Sequence, residues 1–222
     1  MKLYMYAGPN GSGKSTLIND FIHKPENAGL LYLCPDSFFK SMFRHSSDLE
    51  IEKQSYIKAM SKAELVRKSC VEEGTDFAFE TVFSTYEKVE FLIETKKRGY
   101  RIISNFVTTK DVNININRVA FRTSQGGHDV PVDKIEKRYY KAMEQLKYLF
   151  DISDELYIYD NSSEHYKLAY MQIGYGYYVN SKLSEETWVK KYILPYVSKE
   201  YIHFTNLENR EIIEYIKKYN NK

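Results

Sequence analysis

Two periodicities alternate along the chain. Residues 2–7, KLYMYA, form a short β-prone run led by apolar and aromatic side chains. Residues 15–22, STLINDFI, then put Leu17, Ile18, Phe21 and Ile22 on helical spacing. After a loop at 23–29, a second strand is predicted at 30–33, LLYL; Pro35 ends it, and Asp36 stands just past its end. Residues 37–43 read as helical, so Asp36 is also a capping candidate. Tyr56, Met60, Ala63, Val66 and Cys70 recur every three or four positions, predicting a long amphipathic helix over 50–73 with Gly74 as its C-cap. A strand at 76–80, DFAFE, precedes a helix at 85–98 with Val89, Leu92 and Ile93 inward and Gly99 at its end. Residues 101–107, RIISNFV, are the fourth strand.

Asp111 caps a helix that runs to about Arg122. The polar loop TSQGGHDVP follows, and Pro131 opens a helix carrying Ile135, Tyr139, Met143 and Leu146. A fifth strand is predicted at 156–159, and a strand pair at 167–173 and 175–179 around Gly174 and Gly176. Two helices, 185–197 and 206–219, end the chain. Alternating strands and helices predict an α/β fold: a mostly parallel sheet, helices on both faces and a helical lid at about 111–150. The expected division is one domain over 1–180, with 181–222 a helical extension packed on it. In such sheets ligands sit beyond the carboxyl ends of the strands, and Gly8, Asp36 and Glu80 all fall at such ends.

Composition narrows the partners. The 222 residues are 43% hydrophobic, enough for one α/β domain with a sizeable core, and the net charge of +2 gives no argument for nucleic acid or an anionic membrane. Cys34 and Cys70 make neither a disulfide framework nor a zinc site and read as small buried hydrophobes. The 21 tyrosines fall mostly in predicted strands and helices, which marks them as packing residues. No apolar run approaches the roughly 20 residues of a membrane span. The first residues read as a strand and not as a signal sequence, so a cytoplasmic protein is expected.

The chemistry begins at GPNGSGKST, Gly8 to Thr16, which fits G-x-x-x-x-G-K-[ST] at Gly8, Gly13, Lys14 and Ser15. Glycines let the loop through Pro9, Asn10, Gly11 and Ser12 curl so that its successive backbone N–H groups surround an anion, and the helix that follows favours negative charge. Lys14 supplies positive charge for the terminal phosphates, and the Ser15 hydroxyl is a ligand for Mg²⁺. A strand before the loop and a helix after it are the setting such a loop requires. Asp36 is a candidate general base for an acceptor hydroxyl. Glu80, in FET, could hold Mg²⁺ through water, orient the acceptor, or serve as a structural carboxylate. Arg118 and Arg122 share one helix face, and Arg138 with Lys137 lies early in the next helix. On a lid these arginines would meet the phosphates after closure; otherwise they are a solvated basic face. Gly126, Gly127 and His128 in the intervening loop favour the lid. Asp160 and Asn161 follow the fifth strand and suit a base or ribose contact or a simple turn.

These pieces, in order, resemble the zeta toxin family of P-loop kinases, and more closely its short stand-alone members, often labelled predicted ABC-type ATPases. The matching runs are AGPNGSGKST at 7–16, PDSF at 35–38, FET at 79–81, RVAFRTSQGGHDVP at 118–131, IEKRYY at 135–140 and YDNS at 159–162. The resemblance implies a phosphotransferase using ATP and Mg²⁺, with Lys14 and Ser15 on the nucleotide, Asp36 as base, and Arg122, Arg138 and Arg118 as lid arginines. It also implies a small-molecule hydroxyl acceptor, since toxin members phosphorylate a sugar hydroxyl of UDP-N-acetylglucosamine. An antitoxin partner is implied too, one that blocks the nucleotide site with a helix. A transporter-type ATPase is disfavoured because no LSGGQ-like signature is present. A GTPase is disfavoured because TTKDV at 108–112 misplaces the aspartate of the guanine motif. A nucleotide-binding regulatory module that hydrolyses ATP slowly or not at all, and a polynucleotide kinase, are the competing readings.

Overall fold

The structure, a computed structural model, describes residues 1–42, 49–125, 129–208 and 210–220. Strands β1 (Lys2–Ala7), β2 (Leu31–Leu33), β3 (Phe77–Thr81), β4 (Arg101–Thr108) and β5 (Glu155–Asp160) pair in parallel in the order β2-β3-β1-β4-β5. β6 (Lys167–Ile173) and β7 (Gly176–Val179) continue the sheet antiparallel, and β8 (Ile202–His203) closes it parallel to β7.

Alternation along β1 assigns the layers. Leu3, Met5 and Ala7 face one side and join the main core with Cys70 and Val71 of α3 (Leu49–Glu73) and Val89 and Leu92 of α4 (Tyr86–Lys97). Tyr139, Ala142 and Met143 of α6 (Val132–Gln145), α7 (Leu149–Ile152), and Trp188 and Val189 of α8 (Thr187–Tyr192) complete that layer. Tyr4 and Tyr6 face the other side and pack on Leu17, Ile18, Phe21 and Ile22 of α1 (Lys14–Ile22). On that same side Met171 and Ile173 of β6 receive Ile212, Tyr215, Ile216 and Tyr219 of α9 (Arg210–Asn220). Arg101 ties α9 to the sheet: Nη2 lies 2.9 Å from Glu155 Oε1, Nη1 donates to Tyr219 O at 3.2 Å, and the guanidinium sits 4.6 Å from the Tyr219 ring centroid.

Phe106, 0% exposed on central β4, lies in the main core. Phe106→Ala is expected to cost about 3–5 kcal/mol through lost transfer energy and the cavity left behind. A denaturant titration should give a lower midpoint at unchanged slope; a midpoint within error of the parent would refute the assigned packing.

Three expectations need correction. The helix expected at 185–197 is only α8, followed by one 3₁₀ turn at Leu194–Tyr196. Pro195 has no N–H to continue an α-helix, and the chain turns back to make β8, which was not expected. Met60 is 50% exposed; Ala59, at 0%, takes the inward position on α3. Pro35 not only ends β2 but begins α2 (Pro35–Met42), where the missing N–H costs nothing. No helix among the described residues is long and apolar enough to cross a membrane.

Candidate active site

The site begins where β1 stops. Gly8 has φ +140°, and a Cβ there would lie 2.0 Å from Val107 O, so no other residue fits between β1 and β4. Gly13, in the left-handed region at φ 99°, is the N-cap of α1 and supplies no side-chain cap; no acidic residue occupies the first turn. The helix N-terminus therefore carries its positive end toward the loop with no carboxylate of its own first turn competing. The Ser12 hydroxyl and Asn10 Oδ1 are buried without a partner among the described residues. Buried polar groups left unpaired are costly, and a phosphate with its waters would supply partners. The loop thus fits a nucleotide phosphate on its own geometry. Lys14 Nζ donates to Pro9 O at 2.9 Å, so the ammonium lies against the loop it belongs to.

Glu80 joins three elements. Its Oε2 accepts from Ser15 Oγ at 2.8 Å and its Oε1 from Cys34 Sγ at 3.2 Å, linking β3 to the start of α1 and the end of β2. Cys34, 6% exposed, is therefore more than a small buried hydrophobe. Among the described residues no three His, Cys, Asp or Glu side chains converge as a metal cage. Mg²⁺ in phosphate sites is usually held by one or two protein oxygens plus the phosphates, and the Ser15–Glu80 pair is of that kind. Asp36 occupies the first turn of α2 by its backbone; its side chain, and Gly126, Gly127 and His128, lie outside the described residues.

On the other flank, Asp160 is the last residue of β5, and Asn161 follows it, 8% exposed. Asn161 Nδ2 donates to Ser12 O at 2.8 Å, and its own carbonyl accepts from Arg118 Nη1 at 2.8 Å. Arg118 and Arg122 lie on α5 (Val112–Ser124), which Asp111 caps by accepting from Asn113 N at 2.8 Å. Arg118 is half-buried, Arg122 exposed, and Arg138 on α6 half-buried. Sequence reasoning missed Asn115 and Tyr166, which meet the loop through hydrogen bonds spanning 105 and 153 positions, and Thr109, which bonds Asn115 six positions on.

The family model described as Zeta toxin matches residues 2–168. The chain belongs to the zeta toxin family. The matched span contains every site residue described above, from Gly8 to Asn161. A relative by sequence, an uncharacterized protein of Haemophilus influenzae, is 26% identical over 138 residues, 62% of this chain and 92% of that one. Among solved structures, the AvrRxo1-ORF1:ORF2 complex with ATP aligns at TM-score 0.65 and 13% identity, over 98% of this chain and 71% of that chain. The PezAT chromosomal toxin–antitoxin system of Streptococcus pneumoniae aligns at TM-score 0.55 and 15% identity, over 99% and 86%. These likenesses establish a P-loop kinase-like fold for this member of the zeta toxin family.

Proposed function

We propose that this protein is an ATP-dependent phosphotransferase that moves the γ-phosphate to a hydroxyl of a small molecule, with a UDP-N-acetyl sugar as the first acceptor to test. The observation that carries this reading is the phosphate loop with Ser15 bonded to Glu80 at the carboxyl end of the sheet. Membership of the zeta toxin family supports the transferase class and the acceptor, and the ATP-containing relative of the same fold supports the donor.

In this mechanism the loop amides from Gly8 to Thr16 and the N-terminus of α1 hold the phosphates. Lys14 leaves Pro9 O and turns to the terminal phosphates. Ser15, with Glu80 in support, would hold Mg²⁺, which would supply positive charge against the phosphates. Asp36 takes the proton of the acceptor hydroxyl. From the proposed lid at about 111–150, Arg122 and Arg138, helped by Arg118, reach over the transferring group by side-chain movement and exclude water, because α5 and α6 already pack on the core through Val112 and Tyr139. Asn161 borders the nucleoside. Catalysis is by positioning and charge, with no covalent enzyme intermediate. A protein antitoxin that covers this cleft is the proposed partner; the PezAT likeness supports it.

The test follows γ-labelled phosphate from ATP into UDP-N-acetyl sugars, nucleotides and a metabolite extract. Label on a small molecule is the expected result. Label released only as free phosphate would replace this reading with an ATPase or nucleotide-gated module, and label on nucleic acid ends with a polynucleotide kinase. In the same assay, Glu80→Gln should raise the Mg²⁺ concentration for half-maximal rate about 10–100-fold, the usual effect of losing a supporting partner of a metal ligand. An unchanged Mg²⁺ dependence would remove Glu80 from the metal site.

A further inference from the structure

Three side chains outside the phosphate loop grip its backbone carbonyls. Asn115 Nδ2 donates to Asn10 O at 2.6 Å, Asn161 Nδ2 to Ser12 O at 2.8 Å, and the Tyr166 hydroxyl to Gly13 O at 2.7 Å. They come from α5, from the residue after β5, and from the turn before β6. We propose that Asn115, Asn161 and Tyr166 are positioning residues that preset the anion-binding conformation of the loop and so set nucleotide affinity. The inference rests on the nucleotide-binding reading above.

Peptide geometry makes the link. In a trans peptide the carbonyl and the following N–H share a plane and point opposite ways. Each carbonyl drawn outward therefore turns the next N–H toward the loop's concavity: Gly11 for Asn10, Gly13 for Ser12, and Lys14 for Gly13. Without the grips the Asn10 and Ser12 peptides of the glycine-rich backbone are free to rotate, and part of the binding energy would go to ordering them; Gly13 O also accepts from Thr16 N and Leu17 N at 3.2 Å, and Tyr166 reinforces that anchor.

The Asn115 grip is itself held. Asn115 and Thr109 are both 0% exposed, and Thr109 Oγ1 contacts Asn115 Oδ1, so only the orientation with Nδ2 toward Asn10 O satisfies the amide. Thr109 O in turn accepts from the Tyr139 hydroxyl of α6 at 2.6 Å. Burial pushes the Tyr139 phenol up to about 12, so it stays a donor well into the alkaline range. α5 has no room to shift toward the loop: a Cβ on Gly11 would lie 2.6 Å from Asn115 O.

The experiment measures binding of a fluorescent ATP analogue to the full chain, without acceptor, alongside thermal melts. Asn115→Ala, Asn161→Ala and Tyr166→Phe should each weaken binding about tenfold, as expected for one lost net hydrogen bond. Tyr166→Phe removes only an oxygen from a half-buried ring, so it tests the idea even if an asparagine variant fails to fold. Asn115→Asp supplies the sharper readout. Its carboxylate cannot donate to Asn10 O, but the protonated acid can, and burial raises its pKa. Binding by Asn115→Asp should recover as pH falls, relative to the parent, while Asn115→Ala stays flat. Variants that melt earlier yet bind the analogue with parental affinity, or an Asn115→Asp profile parallel to Asn115→Ala, would overturn the proposal. A parent chain that binds no nucleotide would take down the functional reading and this inference together.

Discussion

Lys14→Ala is expected to lower phosphoryl transfer by about 10³-fold, the scale of removing one preorganised charge partner of a transition state. The argument is positional. Lys14 is the first residue of α1, directly after Gly13, and Nζ lies 2.9 Å from Pro9 O on the same loop. A swing of that one flexible stem brings the ammonium from a neutral carbonyl to phosphate oxygens, where charge increases as transfer proceeds. Its bond to Pro9 O is local to the loop, so the loss of rate should far exceed any loss of stability. The melting curve of Lys14→Ala should stay near that of the parent while the rate collapses. Transfer within tenfold of the parent, from a folded variant, would remove Lys14 from the chemistry.

Much of the fold was legible because local pattern and tertiary role agree. KLYMYA alternates, and the sheet uses both faces of it: Leu3, Met5 and Ala7 against α3 and α4, Tyr4 and Tyr6 against α1. The loop residues and Glu80 announced themselves by their places at strand ends, and Ser15 and Glu80 do meet although 65 positions apart. The failures share a cause. In 185–197 the apolar spacing is helical, but Pro195 and the pairing of Ile202 and His203 with β7 outweigh it, and sheet pairing is a nonlocal preference. On α3 the stripe holds at Ala63 and Cys70, each 4% exposed, but takes Met60 where its neighbour Ala59 is the buried residue. Cys34, Asn115 and Tyr166 act on partners far away in sequence, up to 153 positions for Tyr166 on Gly13. Nothing local distinguishes a loop asparagine that grips a carbonyl from one that forms a turn.

Asp36→Asn should separate chemistry from binding. The substitution keeps size and shape but removes the basic site, so transfer to the acceptor should fall about 10²–10⁴-fold, the usual range for a general base. Nucleotide affinity should hold, because in the proposed reading the phosphates are held by the Gly8–Thr16 loop, between β1 and α1, and not by Asp36. The backbone places Asp36 in the first turn of α2, one residue after Pro35 and two after Cys34, whose thiol bonds Glu80. That brings the start of α2 to the same sheet edge as Ser15. An aspartate in a first helical turn can also stabilise the helix through its dipole. The asparagine would lose that smaller effect too, which a melt would register separately. The decisive comparison sets the rate of transfer against the dissociation constant for the ATP analogue. A lower rate at constant affinity supports the base. Parallel loss of both would make Asp36 a structural residue of α2, and equal rates in both proteins would leave the acceptor proton to another group or to water.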